Sequence, residues 1–491
     1  MSKRHVLIVT CALLLSNAMG GLDSTIINTA LPAIISDLHG IQLMGWIIAV
    51  FLLGTAVTTP LWSKLGEYIG NKSAYQIATS LFVIGAFLEG MSPNIYFLIV
   101  ARTIMGIGNG GMTSLPYIIY AKLYQNPHKR TQVLGFVTAS FSTATIIGPL
   151  VGGWIVDTFS WHWVFYINVP IGLLSIIVVQ LFFKVPKATK QNKPVDYLGA
   201  TLMASGLICL LMAIEMIGTI SILWVGLLLV VALGLLVAML MVENRAVDPI
   251  IPSRLFKNHN LVIDFVLFAL IWGAFVGFNI YIPMWAQGLM GTTAIIGGVT
   301  QVPGSLTNFA GSESVVALRL RFKAQTVVAL GILTLIISFI LMTFAGVQAP
   351  YWLLLVAGAS EGFGTGLCFN VLQIKVQQDA ERQDVPIATS FSFLIRMLSQ
   401  TFMASILGII LNQALFKGVR QSHGQITLKM MNKLSDAASV HLLPAHLIPQ
   451  MRNILHQGLH NIMLVSLLIL LVAAAILTWD RHQARNLAIK Q

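Results

Sequence analysis

Four charged side chains stand inside stretches that are otherwise apolar. Asp23 lies in GGLDSTIINTALP (Gly20–Pro32), Arg102 in RTIMGIGNGG (Arg102–Gly111), Glu361 in SEGFGTG (Ser360–Gly366) and Arg396 in FLIRMLSQTF (Phe393–Phe402). A charge at the centre of a bilayer costs at least about 2.5–3.5 kcal/mol on insertion scales, so each needs a partner, a water-filled cavity or a proton. Asp23 stands about 17 residues, or ~25 Å, into the first apolar stretch. Arg102 stands at a comparable depth in the fourth, so the two are expected to pair, directly or through a polar network. Two roles remain open for that pair: a static bridge between two helices, or a carboxyl that exchanges a proton while the arginine tunes it. Burial acting against a neighbouring opposite charge suits a group that changes charge. Glu361 and Arg396 are both expected near mid-depth, where they pair or share a cavity. There Glu361 is a candidate for touching a cationic substrate or a proton.

Elements of a particular kind must position these residues. Of 491 residues 56% are hydrophobic and only 9% charged, against about 25% charged in a soluble domain. Apolar stretches of about 20 residues recur along the chain. They predict an all-α, polytopic membrane protein with fourteen transmembrane helices, at 6–30, 44–62, 74–91, 95–120, 132–155, 162–183, 196–217, 222–242, 260–282, 293–317, 325–346, 351–373, 386–412 and 459–479. The run after Lys3 and Arg4 continues through the Asp23 motif, which favours a retained first span over a cleaved leader. The net charge of +12 is a topology signal rather than a nucleic-acid footprint. Lys64, Lys72, Lys122, Lys129, Arg130, Lys184, Lys187, Lys190, Lys193, Arg319, Arg321, Lys323, Arg481, Arg485 and Lys490 fall on one side, which predicts a cytoplasmic location for both termini.

Longer cytoplasmic segments divide the chain into a six-helix bundle (1–195), an additional helix pair with its linker (196–259) and a second six-helix bundle (260–491) carrying a long outer loop (413–458). An internal repeat supports the division: GIGNGG (Gly106–Gly111) in the fourth helix answers GFGTG (Gly362–Gly366) in the twelfth. Two repeats around a midplane site describe many secondary transporters.

Other residues carry weaker signals. Glu89 and Glu215 are expected to be hydrated near outer helix ends. Glu313, above Arg319 near the inner end of the tenth helix, is a candidate gate partner or cation site. Asn28, Trp272, Tyr281 and Phe369 are candidates to line a substrate cavity. Cys11, Cys209 and Cys368 all fall within apolar stretches, with no disulfide or zinc spacing. Five of the eleven histidines fall between His423 and His460, at no metal-ligand spacing, in a segment expected to form an outer cap. No metal site is expected. No phosphate-binding loop of the Gly-x4-Gly-Lys-Ser/Thr type is present, which disfavours ATP drive. No nucleophile motif or intramembrane histidine–acid cluster supports a membrane enzyme.

Four motifs in order resemble the major facilitator superfamily, specifically its fourteen-helix drug:proton antiporter (multidrug efflux) branch. LDSTIINTALP (Leu22–Pro32) is similar to the branch's helix 1 motif, and RTIMGIGNGG to the helix 4 motif with its buried arginine. GPLVGG (Gly148–Gly153) resembles the helix 5 motif associated with antiporters, and WHWVFYINVPIG (Trp161–Gly172) the entry to helix 6. Arg396 resembles the branch's helix 13 arginine. The loop after helix 2 departs from the family pattern: Glu67 replaces aspartate, Tyr68 and Asn71 replace arginines, and Gly70 and Lys72 remain. Since that loop helps hold the inward-closed state in the family, its gating pairs are in question here. Gly148, Pro149, Gly152 and Gly153 are expected to let helices pack closely and bend.

The resemblance implies the major facilitator fold and, by alternating access, proton-driven export of hydrophobic, often cationic small molecules across the plasma membrane. Asp23, Arg102, Glu361 and Arg396 are its proton-coupling candidates. It further implies a monomer in lipid, driven by the proton gradient without a cofactor and without nucleic acid. Uptake or export of one specific metabolite is the alternative, GPLVGG leaning against uptake; a non-transporting sensor is a remoter one.

Overall fold

The computed structural model describes residues 3–183, 197–217, 221–243, 253–382 and 384–490. Lys184, Lys187, Lys190 and Lys193 lie outside the described residues. Helices occupy nearly all of what is described. They are α1 (Lys3–Leu38), α2 (Met44–Ile69), α3 (Asn71–Gly90), α4 (Ile95–Leu123), α5 (Pro127–Thr158), α6 (His162–Tyr166), α7 (Asn168–Phe182), α8 (Tyr197–Glu215), α9 (Ile222–Glu243), α10 (His259–Met284), α11 (Ala294–Val299), α12 (Val302–Arg321), α13 (Ala324–Thr343), α14 (Tyr351–Asp379), α15 (Val385–Gln421), α16 (Leu428–Leu434) and α17 (Ile448–Lys490).

Each of the fourteen expected spans falls on one of these helices or on a consecutive pair. Eleven helices among the described residues are long and apolar enough to cross a membrane, and the protein is a multi-pass membrane protein. The expected spans 74–91, 196–217 and 293–317 fall outside those eleven, on helices that are shorter or less apolar.

The chain forms two compact units, one of Met1–Ile34, Trp46–Val242 and Ala246–Asp248, the other of Ile35–Gly45, Glu243–Arg245 and Pro249–Gln491. The helix pair α8 and α9 groups with the first unit.

The same packing device holds each unit. In the first, Gly106 and Gly110 of α4 lie against the α2 backbone at Phe51 and Thr55, and Gly108 lies against α3 at Ala78 and Phe82. In the second, Gly362 and Gly366 of α14 lie against the α12 backbone at Gly304 and Asn308, and Gly364 lies against α13 at Gly331. A Cβ at any of these positions would collide with a neighbouring helix, so backbones approach as closely as small residues permit. Hydroxyls reinforce both contacts. Thr55 Oγ1 donates to Gly106 O at 3.2 Å and Thr58 Oγ1 to Ile107 O at 3.1 Å. Thr307 Oγ1 donates to Ala359 O at 2.8 Å. The repeat expected from GIGNGG and GFGTG is thus a repeat of packing.

Proline interrupts the helix ladder within several long helices, and in α10 a polar side chain repairs the gap. Pro283 in α10 lacks the N–H that would reach Asn279 O; Gln301 Nε2 donates to that carbonyl instead, at 2.6 Å.

The expected loop 413–458 is largely helical. α15 runs on to Gln421 and α17 starts at Ile448, because Leu411 and Leu415 on one and Met451, Leu455 and Leu459 on the other remain buried. Gly418 against Ile454 and Gly458 against Leu411 bring the two helices together. His456 and His460 each direct a ring nitrogen at 2.8 Å to a carbonyl at the end of α13, of Ala345 and Thr343.

Candidate functional site

The first unit concentrates its buried charge around Arg102. Asn94 caps α4 by accepting from Phe97 N at 2.9 Å, and two turns later the helix carries Arg102 inward. Its Nη1 lies 3.2 Å from Asp23 Oδ2 of α1 and 3.4 Å from Glu89 Oε2 of α3. The guanidinium also sits over the Phe51 ring of α2, 4.1 Å from its centroid. Four helices therefore converge on one cation. All three charged residues are buried, Asp23 and Glu89 at 0% exposure and Arg102 at 1%.

The bonding is sparse for so buried a cluster. One nitrogen serves both acids, while Glu89 Oε1 and Arg102 Nε have no hydrogen-bond partner among the described residues. With both acids ionised, two negative charges face one positive charge; one proton makes the cluster neutral.

The expected Asp23–Arg102 pair is present. Glu89, expected to be hydrated, is instead buried. Glu89 faces Arg102 of the neighbouring helix at 3.4 Å, and Tyr166, at the end of α6, lies against the adjacent Gly90. The short connection between α3 and α4 brings Glu89 beside the second turn of α4.

The GPLVGG segment of α5 supports the helix that carries Asp23. Gly148 faces Thr25 and Gly152 faces Ile26, while Gly21 of α1 faces the Phe141 carbonyl of α5. Larger residues would push α1 and α5 apart next to the carboxylate.

The second unit is arranged differently. Glu361 of α14 is buried and accepts from Thr365 Oγ1 at 2.8 Å. Arg396 of α15 is ringed by aromatic faces: Phe369 at 4.6 Å, Phe393 at 5.1 Å, Trp272 at 5.3 Å and Phe268 at 5.6 Å. No ion pair joins Glu361 to Arg396 among the described residues; equal depth along two helices does not make two side chains face one another. Trp272 and Phe369 are thus brought to Arg396. Tyr281 is fully buried elsewhere on α10, and Asn28 is buried on α1. Glu313 is exposed and forms no ion pair among the described residues.

Two further charge groups went unread in the sequence. Lys375 near the end of α14 bridges Asp264 of α10 at 3.1 Å and Asp379 at 3.0 Å, with Asp264 fully buried. The signal was an acid within the first two turns of one helix and a lysine within the last two turns of another. Arg254 chelates Asp384 at 2.6 to 3.0 Å, and that carboxylate holds the exposed guanidinium above its ordinary range.

The sequence profile of the Major Facilitator Superfamily matches residues 13–404. The chain belongs to the Major Facilitator Superfamily. It is 28% identical over 514 residues to multidrug transporter protein MdtP of Bacillus subtilis (strain 168), covering 96% of this chain and 92% of that protein. It is 30% identical over 429 residues to multidrug resistance protein 3 of the same organism, covering 85% and 83%. Among solved structures, a bacterial homologue of the human lysosomal transporter Spinster, inward-facing and unoccupied, superposes with a TM-score of 0.70 at 14% identity, over 97% of each chain. That likeness concerns the fold. The protein is a transporter of this superfamily rather than an enzyme, and small molecules are its substrates.

Within this superfamily member the divergent loop after α2 has its own set of bonds. Gly70 takes a φ of 92°, a left-handed turn that glycine adopts without strain, and caps α3. Asn71, where the superfamily's arginine is missing, donates to Gly66 O at 2.9 Å and accepts from Lys122 Nζ at 2.8 Å in the amide orientation that satisfies both. Lys72 Nζ donates to Gln180 O of α7 at 2.8 Å, and Glu67 is exposed. The loop is thus fastened by amide and carbonyl contacts within its own unit.

Proposed function

We propose that this chain exports hydrophobic, often cationic small molecules in exchange for protons. It works by alternating access as a fourteen-helix monomer of the plasma membrane, with both termini cytoplasmic. The observation that carries the reading is the Asp23–Arg102–Glu89 cluster. One guanidinium holds two buried carboxylates at 3.2 and 3.4 Å, so a single proton switches the cluster between a net charge and neutrality. A buried net charge in a membrane protein is costly, and the two protonation states therefore favour different surroundings. Tying those surroundings to opposite faces of the membrane makes the cluster a proton carrier. The gradient supplies the energy, and no cofactor takes part.

The names of the relatives, multidrug transporter and multidrug resistance protein, support export as the direction and drugs of more than one kind as the cargo. The glycines that seat α5 on α1 beside Asp23 agree with the antiporter resemblance of that motif.

The test uses proteoliposomes with an imposed pH gradient and a fluorescent lipophilic cation. Wild-type protein is expected to accumulate the dye against its gradient and to dissipate the proton gradient as it does so. Asp23→Asn is expected to abolish the coupled movement. A normal exchange rate in Asp23→Asn would rule out Asp23 as an obligatory carrier.

A further inference from the structure

Arg396 has a shortage that Arg102 does not. A guanidinium carries five N–H donors and no acceptor, and it keeps its charge. Arg396 gives none of those donors to an acceptor among the described residues: its Nε is buried without one, while the side chain as a whole stays partly exposed. The four rings around it attract a cation through their faces. They offer no oxygen lone pair to the in-plane fork of donors. Buried acids of the same unit are engaged elsewhere, Glu361 with Thr365, Asp264 with Lys375, Asp384 with Arg254 and Asp480 with Gln325.

We propose that Arg396 binds an acidic group of the transported compound, and that this group is a carboxylate carried on an aromatic body. Two parallel N–H···O bonds match a carboxylate to the guanidinium fork. Trp272 and Phe369, 5.3 and 4.6 Å from the cation, stand where an attached ring stacks. A lone ammonium is repelled at this position. The inference rests on the reading of the chain as an exporter and extends its cargo to aromatic acids and zwitterions. It also gives Arg396 a substrate-holding role in place of a proton-coupling one.

Three probes of one size and three charges test it: 1-naphthoate, 1-naphthamide and 1-naphthylmethylammonium. Their binding to the full chain in nanodiscs is measured by calorimetry. Wild-type protein is expected to bind naphthoate at least about tenfold more tightly than the neutral amide, as a charge-assisted forked pair provides. Arg396→Gln is expected to bring the two within about twofold. Arg396→Lys restores part of the difference, having the charge without the fork, and Trp272→Ala weakens all three probes together. The proposal is overturned if wild-type protein binds the amide or the ammonium as well as naphthoate, if it binds no naphthoate, or if Arg396→Gln weakens all three alike. The wild-type comparison needs no variant to fold. Proteoliposomes separate the two readings: naphthoate binding without transport of any probe refutes export and leaves the site, whereas transport of the ammonium without preference for naphthoate refutes the site and leaves export.

Discussion

Arg102 lies 3.2 Å from Asp23 and 3.4 Å from Glu89, over one aromatic ring. Arg396 lies among four rings and reaches no carboxylate among the described residues. The two arginines occupy the two repeats of one fold, whose glycine-rich helices pack in the same way, yet their charge balances are opposite. The first site has an excess of acid that a proton neutralises. The second has an excess of base that an anion neutralises. The difference teaches that related helical frames can be specialised through the few side chains placed on them. The glycines define the frame, and the acids and rings define what each half receives.

Removing the cation is the harshest way to break this comparison. Arg102→Met leaves two buried acids without their partner and is expected to cost about 3–5 kcal/mol of stability, as broken buried pairs do. The loss is expected to be greater at pH 8 than at pH 5, because at lower pH the stranded acids take up protons and shed their charge. Thermal unfolding in detergent at the two values measures it. A pH-independent loss would mean that the acids are not ionised in the native cluster.

A smaller effect comes from the support behind Asp23. Gly152→Leu forces side-chain atoms into the space of Ile26, where a Cβ alone would stand 2.5 Å from Cγ1. Overpacking of this kind typically costs about 1–3 kcal/mol. Transport is expected to fall along with the melting temperature. Normal transport would show that close packing of α5 on α1 is dispensable.

Phe51→Leu removes the ring from beneath Arg102 and keeps the carboxylates, so the expected loss is about 0.5–2 kcal/mol. The mildest change in stability is expected at the second arginine. Arg396→Gln strands no carboxylate, and its effect on unfolding is expected to be within about 1 kcal/mol in either direction. Equal destabilisation by Arg102→Met and Arg396→Gln would erase the distinction between the two sites.

Much of this arrangement was legible in the sequence. Apolar runs located the helices, and matching depth on two of them anticipated Asp23 beside Arg102. The repeat of GIGNGG in GFGTG pointed to the shared packing. What escaped was what depth along one helix does not encode. Glu89 looked hydrated at a helix end, but it turns inward to Arg102 of the neighbouring helix, 3.4 Å away. Glu361 and Arg396 were expected to pair or to share a cavity; they do not pair, because the direction in which a side chain leaves its helix depends on the neighbours that pack against it. Asp264 sat within one apolar stretch and Lys375 just beyond another, on helices distant in sequence, and only the fold brings them to 3.1 Å. The extension of α15 and α17 into the expected loop depended on each helix burying the other's apolar face.

The central claim is that the Asp23–Arg102–Glu89 cluster exchanges a proton when substrate binds. Substrate-induced proton release from purified protein in weakly buffered detergent solution tests it most directly, read with a pH dye as a transported lipophilic cation is added. Wild-type protein is predicted to release protons in proportion to the substrate bound, and Asp23→Asn and Glu89→Gln are each predicted to bind substrate with that release diminished. Undiminished release from the double variant Asp23→Asn, Glu89→Gln would contradict the claim and place the exchanging group elsewhere in the chain.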